Sequence, residues 1–249
     1  MTDTAFLFGP LGYMQPLTEV SAGATRSPSR ARGELVTVGG VRYVQKARHA
    51  PRQWDLGYTW QTPGVVRLLM AAAQGALKDC WLYDVAAARA NMIPGYLATG
   101  AGSTVLVAGM PLGAVTAGAV VTVPVLAGRA YTASAWSAHT SGQTVFTYKL
   151  GAGSTVNANA TAGSGARITS ASFTPSVDQT LTFTVGSGAS VSGLRVHEGA
   201  SDGDWLPGHG SPCKVDVIDP QAVLQMVTDG HGLTDYTVSI QEVGQPGVI

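Results

Sequence analysis

The chain has 249 residues, a formal charge of zero and only 12 % charged residues, so it offers no electrostatic footprint for nucleic acid or an anionic membrane. Two cysteines, Cys80 and Cys213, exclude a disulfide framework and are expected to stay thiols. The 32 glycines, set among recurring Val, Thr, Ser and aromatic residues, suit short strands and turns and do not suit disorder.

From the start of the chain, Met1 to Pro10 lacks a basic region and holds only a short apolar run, Ala5 to Phe8. No secretory leader is read, and synthesis in a cytoplasm is expected. A Ser/Pro/Arg loop, Ser21 to Arg32, opens a basic cluster of Arg26, Arg30, Arg32, Arg42, Lys46, Arg48 and Arg52. Two readings stand side by side: contact with an acidic neighbour, or a solvated face. Glu34–Val38 and Val41–Lys46 are predicted strands joined by Gly39-Gly40, a pair suited to a type I′ turn because both central residues there take positive φ. Trp54, Leu56, Tyr58 and Trp60 alternate with smaller or polar residues, which predicts a strand with these four on one buried face.

A helix is predicted next, with Thr62 as N-cap and Pro63 at its first position, where a missing N–H costs nothing. Val65, Leu69, Ala72, Ala73, Ala76 and Leu77 give it an apolar face, and Lys78 suits its negative end. Cys80–Val85 reads as a further strand.

From Asn91-Met92-Ile93-Pro94 to Pro207-Gly208 only strands and turns are predicted. The strands are Thr104–Ala108, Ala119–Val125, Arg129–Ser137, Thr144–Leu150, Arg167–Phe173, Thr180–Val185 and Leu194–Glu198. Short strands at this spacing indicate a β-sandwich or jelly roll. No charge falls between Arg89 and Arg129, but Pro111, Pro124 and several glycines break that stretch, so no membrane span is expected. In the last segment two readings stand: a short helix capped by Asp219-Pro220 and running through Val227, or a strand over Val223–Val227. Tyr236, Val238 and Ile240 alternate as a closing strand that completes the N-terminal sheet.

Residues 1–95 carry ten Lys/Arg against six Asp/Glu, residues 96–208 carry four of each, and residues 209–249 carry one Lys against five acids. The complementary flanks and near-neutral middle suggest an insertion within this mainly β chain. A split β domain with one α-helix, 1–95 plus 209–249, carries an inserted β-sandwich, 96–208.

Chemical motifs are sparse. Gly199-Ala-Ser201-Asp-Gly203 matches G-x-S-x-G, but the following Asp204-Trp205-Leu206-Pro207 is no helix, so a plain turn is expected over a nucleophile elbow. Proximity of His197 and Asp202 in sequence makes no triad. Glu198, Asp202 and Asp204 are candidate calcium ligands, although three acids fall short of the six to eight oxygens Ca²⁺ takes. His209 and Cys213 lack the partner pair of a zinc site. No cofactor and no enzymatic activity are expected.

The run Pro51-Arg-Gln-Trp-Asp-Leu-Gly-Tyr58, the Thr62-Pro63 segment, the Asn91-Met-Ile-Pro94 junction and the closing Tyr236-Thr-Val-Ser-Ile-Gln-Glu-Val-Gly244 resemble minor tail proteins of siphophages infecting actinobacteria. The split outer domain resembles distal tail proteins. Gly128-Arg-Ala-Tyr-Thr-Ala-Ser-Ala-Trp136, Leu181–Val185, Gly193-Leu-Arg-Val-His-Glu-Gly199 and Trp205-Leu-Pro-Gly208 are similar to carbohydrate-binding jelly rolls. The resemblances imply a virion protein of the tail tip, assembled in the host cytoplasm. It would form a trimeric or hexameric ring with tail tube, tip or baseplate and tape-measure proteins as neighbours, and would carry an outward sandwich. The alternative they imply is a carbohydrate-binding module for a host-surface glycan, with Trp136 and Tyr148 as the candidate ligand-binding aromatics.

Overall fold

The computed structural model describes residues 6–17, 24–28, 32–46, 51–61, 64, 66–138, 142–160, 166–187, 190–201, 204–206, 208, 212–228 and 231–243. Its strands in chain order are β1 (Phe6–Pro10), β2 (Gln15–Pro16), β3 (Ala24–Pro28), β4 (Arg32–Val36), β5 (Arg42–Lys46), β6 (Arg52–Gln61), β7 (Cys80–Asp84), β8 (Thr104–Val107) and β9 (Met110–Gly113). They continue as β10 (Val120–Val125), β11 (Tyr131–Ser137), β12 (Thr144–Leu150), β13 (Thr155–Asn159), β14 (Ala166–Thr169), β15 (Gln179–Val185), β16 (Val191–Glu198), β17 (Cys213–Thr228) and β18 (His231–Glu242). The helices are α1 (Arg67–Ala73), α2 (Val85–Ala90) and α3 (Gly95–Ala98). The protein is therefore mainly β, as its composition predicts.

The chain divides into two compact units, one of Met1–Gln15, Trp81–Cys213 and Pro246–Ile249, the other of Pro16–Cys80 and Lys214–Gln245. These boundaries differ from the 95/96 and 208/209 expected from composition. The reason is packing: Tyr83, Val85 and Ala88, on β7 and α2, join the same apolar cluster as the sandwich strands. Charge counts carry no record of that.

In the first unit, a sheet of order β10-β15-β12-β13 and a sheet of order β14-β11-β16 enclose one core. Leu181, Phe183 and Val185 of β15 stand opposite Val123 and Val121 of β10 on one side and Leu150, Tyr148 and Phe146 of β12 on the other. Tyr131, Ala133, Ala135, Leu194 and Val196 join this core from the second sheet. Phe146 stacks on Phe183 at 4.6 Å between ring centroids, and Tyr148 on Phe173 at 5.2 Å. Each such fully buried side chain stabilises the fold by roughly 1.5–3 kcal/mol. Pro124 sits in β10, at the end of its sheet's order, where a missing N–H removes no ladder bond.

A smaller cluster joins Val105 and Val107 of β8 to Ala114 and Trp205, with Leu112 and Trp136 packed against it. Gly193 makes room for it. Its φ is +63°, and a Cβ there would meet Val107 at 2.7 Å and Trp136 at 3.0 Å.

The Asn91–Pro94 junction is a buried stitch. Asn91 donates from Nδ2 to the carbonyls of Leu194 (3.0 Å) and Leu206 (3.3 Å) and accepts at Oδ1 from the backbone N–H of Ile93 (3.0 Å) and Val196 (3.3 Å). Gly95 N–H donates to Gly208 O at 3.1 Å, so the start and end of the sandwich segment lie side by side. Helix α2 was not expected. Asp84 caps it by accepting from Ala87 N–H at 3.0 Å, and the alanine-rich run does the rest.

In the second unit the sheet order is β17-β18-β6-β3. β18 pairs antiparallel with β6 through Tyr236↔Tyr58, Val238↔Leu56 and Ile240↔Trp54, and all six side chains are buried. The last flank is a long strand pair, which settles Val223–Val227 as strand.

Trp60 departs from the expectation of one buried face. Between Tyr236↔Tyr58 and Thr234↔Gln61 the register shifts, leaving Thr59 and Trp60 opposite Asp235. In this two-against-one bulge Trp60 takes φ +56° and is 55 % exposed. Its N–H donates to the Asp235 carboxylate at 2.9 Å, which holds the strained residue in place.

Helix α1 starts at Arg67 with Val66 as N-cap and no side-chain cap, later than predicted; Thr62, Pro63 and Val65 lie outside the described residues. Val66, Leu69 and Ala72 are its buried residues. Gly75, at φ +74°, ends it: Gly75 N–H bonds Ala72 O and Ala76 N–H bonds Ala71 O, the two bonds of a Schellman motif. Lys78 therefore stands beyond the helix end.

The β4–β5 hairpin has a three-residue loop. Thr37 N–H bonds Val41 O and Gly40 N–H bonds Thr37 O. Only Gly40 has positive φ, so the turn carries one left-handed glycine and not the two of a type I′ turn. Among the described residues no helix is long and apolar enough to cross a membrane.

Candidate functional site

Tyr148 lies in the sandwich core, stacked on Phe173, and burial pushes its hydroxyl pKa above the ordinary value. One part of it also lines a groove of about 270 Å³ where β13 and β14 approach each other. Asn157, Asn159, Arg167, Thr169 and Ser170 complete the polar part of that groove. Asn159 Oδ1 accepts from the Thr144 hydroxyl at 2.9 Å, and Ser170 Oγ accepts from Ala133 N–H at 3.0 Å, so the walls are held by the strands beneath them. Amide, guanidinium and hydroxyl groups beside an aromatic edge can hydrogen-bond a polyhydroxylated ligand. Trp136 is elsewhere, packed on the Val105–Trp205 cluster, and does not share the groove with Tyr148.

Among the described residues the calcium candidates are part of no metal-sized group. Glu198 gives both carboxylate oxygens to Arg129 Nη1, at 2.9 and 2.8 Å, and accepts from the Tyr83 hydroxyl at 2.5 Å. Arg129 in turn sits 5.1 Å over the Tyr83 ring. Burial holds the Tyr83 and Tyr131 hydroxyls neutral well above the ordinary tyrosine range. This is a structural lock: both carboxylate oxygens of Glu198 are already engaged by Arg129 and Tyr83. Asp204 is exposed, and Asp202 lies outside the described residues. Among the described residues no three His, Cys, Asp or Glu side chains form a metal-sized group.

The G-x-S-x-G segment follows β16 and runs into irregular chain at Asp204–Leu206. The His197 ring nitrogen Nε2 faces the Ser201 carbonyl at 2.9 Å, not its hydroxyl. Among the described residues no helix follows β16 there, as a nucleophile elbow would need.

The second unit has a cleft of about 460 Å³ lined by Leu77, Lys78, Asp79, Cys80, Lys214 and Asp216 among others. Lys214 Nζ pairs with Asp79 at 2.5 Å, and this hydrogen bond keeps the Asp79 carboxyl below its ordinary range. Burial first, then Asp216 and Asp79, push the Cys80 thiol up, so it is held protonated and is a poor nucleophile. Cys80 and Cys213 are both thiols.

The basic cluster is not one surface. Arg52 is only 6 % exposed and is a core residue. Its backbone N–H and its Nε both donate to Glu242 Oε2, at 3.1 and 2.9 Å, and its guanidinium lies 5.1 Å over the Trp54 ring. Arg42 is exposed and pairs with Glu34 across the β4–β5 hairpin. Arg32 and Lys46 lie in the same hairpin, paired with each other in register, and Arg26 is opposite Trp54 on β3. Arg30 and Arg48 lie outside the described residues.

The exposure of that predicted hairpin was not expected. β4 and β5 pair only with each other in their sheet, yet they expose Leu35 (65 %) and Tyr43 (59 %), which stand directly opposite one another. Val36, Val38, Val41 and Val44 are exposed as well. The two strands were legible, but whether their hairpin lies uncovered is decided by tertiary packing. Comparison with protein-family models and with curated proteins finds no match to this chain.

Proposed function

We propose that this chain is a non-enzymatic structural subunit of a bacteriophage tail tip, of the distal or minor tail kind, whose split unit assembles with further copies into a ring. The observation that supports the assembly is the apolar hairpin of the second unit. A two-stranded hairpin is marginal by itself in water, and large apolar side chains on its faces gain most when another surface covers them. The tail-tip assignment rests on the resemblance of the Pro51–Tyr58, Asn91–Pro94 and Tyr236–Gly244 segments. In this reading the sandwich is the part offered to neighbouring proteins or to the host surface.

Mass photometry with negative-stain microscopy of the purified chain tests it. Ring particles of three or six copies are expected; a monodisperse monomer at tens of micromolar refutes the ring.

A second reading, glycan binding by the sandwich, is favoured by the groove of Tyr148, Asn157, Asn159 and Arg167. An array of bacterial wall polysaccharides separates the two. Binding that vanishes in Asn157→Ala/Arg167→Ala supports the second reading, and a silent array removes it.

A further inference from the structure

We infer that the cleft between the end of helix α1 and the start of β17 binds an amphiphilic monoanion, a carboxylate or sulfonate carried on an apolar chain or ring. The cleft lies wholly within the second unit, and its role as a binding site is independent of the assembling role proposed above.

The cleft holds about 460 Å³, a volume in the range of pockets that bury small ligands. Its lining sorts by exposure. Ala72, Cys80, Val215 and Val217 are buried, and none of them carries a charge. Burial first, then the nearby carboxylates, push the Cys80 thiol up, so this part of the wall stays neutral. Half-buried Leu77 and Val243, which is 40 % exposed, continue the apolar wall to the mouth. The Schellman end of α1 keeps one side open: Gly75 has no side chain, and a Cβ there would meet nothing within 4 Å.

Charge selects the head group. The exposed ionisable residues of the cleft are Lys78, Asp79, Lys214 and Asp216. Asp79 takes φ +53°, a left-handed conformation that aspartate tolerates better than most residues, and its carboxylate accepts from Lys214 Nζ at 2.5 Å. Asp216 Oδ1 accepts from the Val217 N–H at 3.0 Å. Among the described residues, Lys78 is the member of this group with neither an ion pair nor a side-chain hydrogen bond. It touches Asp79 only through space, as the smallest of the influences on that carboxyl. A monoanionic head gives this ammonium a charge-assisted hydrogen bond, and an apolar body covers Leu77 and Val243. Both requirements together describe an amphiphile. An inorganic anion leaves the apolar wall wet, and a neutral hydrocarbon leaves the ammonium without a counterion. A cationic head is served less well, since Asp79 already holds Lys214 and Asp216 gives an oxygen to the backbone.

Isothermal titration calorimetry of the full chain with sodium decanoate tests the inference, with decyltrimethylammonium as the cationic counterpart and acetate as the head group alone. Decanoate is expected to saturate a single site per chain below about 1 mM, and the cation and acetate to bind at least about tenfold more weakly. Lys78→Met is expected to weaken decanoate roughly tenfold, the loss of one charge-assisted hydrogen bond, while Lys78→Arg holds it within about threefold. Val243→Asp is expected to weaken it by a similar factor, through the apolar wall and the added negative charge. Circular dichroism melts verify folding, and Lys78 is exposed, so its exchange leaves the core intact. Absence of saturable decanoate binding overturns the inference. So does equal binding of decanoate and either control, or a Lys78→Met protein that titrates like the wild type.

Discussion

The buried Arg52–Glu242 pair gives a sharp test of how the two halves of the split unit are held. Glu242→Leu leaves the Arg52 guanidinium in a site where Glu242 Oε2 had accepted from both its backbone N–H and its Nε. Arg52→Met leaves the carboxylate in the same dry place. Breaking a buried pair from one side costs about 3–5 kcal/mol, because a charge out of water then loses this partner. The double variant Arg52→Met/Glu242→Leu carries no charge and fills a similar volume, so its cost is expected to fall to about 1 kcal/mol or below. The single changes are then strongly non-additive, with a coupling of at least ~2 kcal/mol. Urea unfolding of the four proteins, followed by tryptophan fluorescence, measures it; Trp54 lies under the guanidinium and reports locally. Additive effects, with a coupling below ~0.5 kcal/mol, would show that the ion pair does not bind the two segments together.

Further expectations follow from buried polar groups and from the bulge. Tyr58→Phe removes a buried hydroxyl that has no hydrogen-bond partner and is expected to stabilise the fold by about 1 kcal/mol at pH 7. Burial pushes Tyr58 from 10.0 up to about 12, so its contribution is intact below pH 10 and is lost as pH rises through 12. That window is worth roughly 3 kcal/mol, and Tyr58→Phe is expected to flatten the urea midpoint across it. Asn91→Ala removes four hydrogen bonds at a fully buried site and is expected to cost about 3–5 kcal/mol, seen as a lowered thermal midpoint. Trp60→Asn is expected to change stability by less than about 1 kcal/mol, since Asn tolerates positive φ, whereas Trp54→Ala costs about 3–5 kcal/mol. Equal losses for the two tryptophans in parallel melts would contradict the bulge.

Strands whose pattern is set by their own core face were legible in the sequence. Leu181-Phe183-Val185, Tyr236-Val238-Ile240 and Trp54-Leu56-Tyr58 each alternate and each bury the expected side chains. Features decided by a distant partner were not. Trp60 continues the alternation by one more step and is turned out by a register shift against β18. Arg52 belongs by composition to the basic cluster, and only a carboxylate 190 residues away makes it a core residue. β13 is polar and exposed over most of its length, so no apolar period marked it. Its loss from the prediction took the Tyr148 groove with it. Helix α2 did have a readable signal, an aspartate before Val-Ala-Ala-Ala, which the strand pattern just ahead of it obscured.

The stitch at Asn91 and Gly208 has a consequence for the modularity of the sandwich. Where a segment's first and last residues are hydrogen-bonded to each other, its ends already satisfy the geometry of a closed ring. Joining Gly95 to Gly208 by a short peptide costs little loop-closure entropy, because the fold holds them together. New ends opened in the exposed turn at Gly151–Ser154 would then leave both sheets intact. The chain thus enters and leaves the sandwich at one neck, with β7, α2 and Asn91 on the near side of that neck as part of the same core.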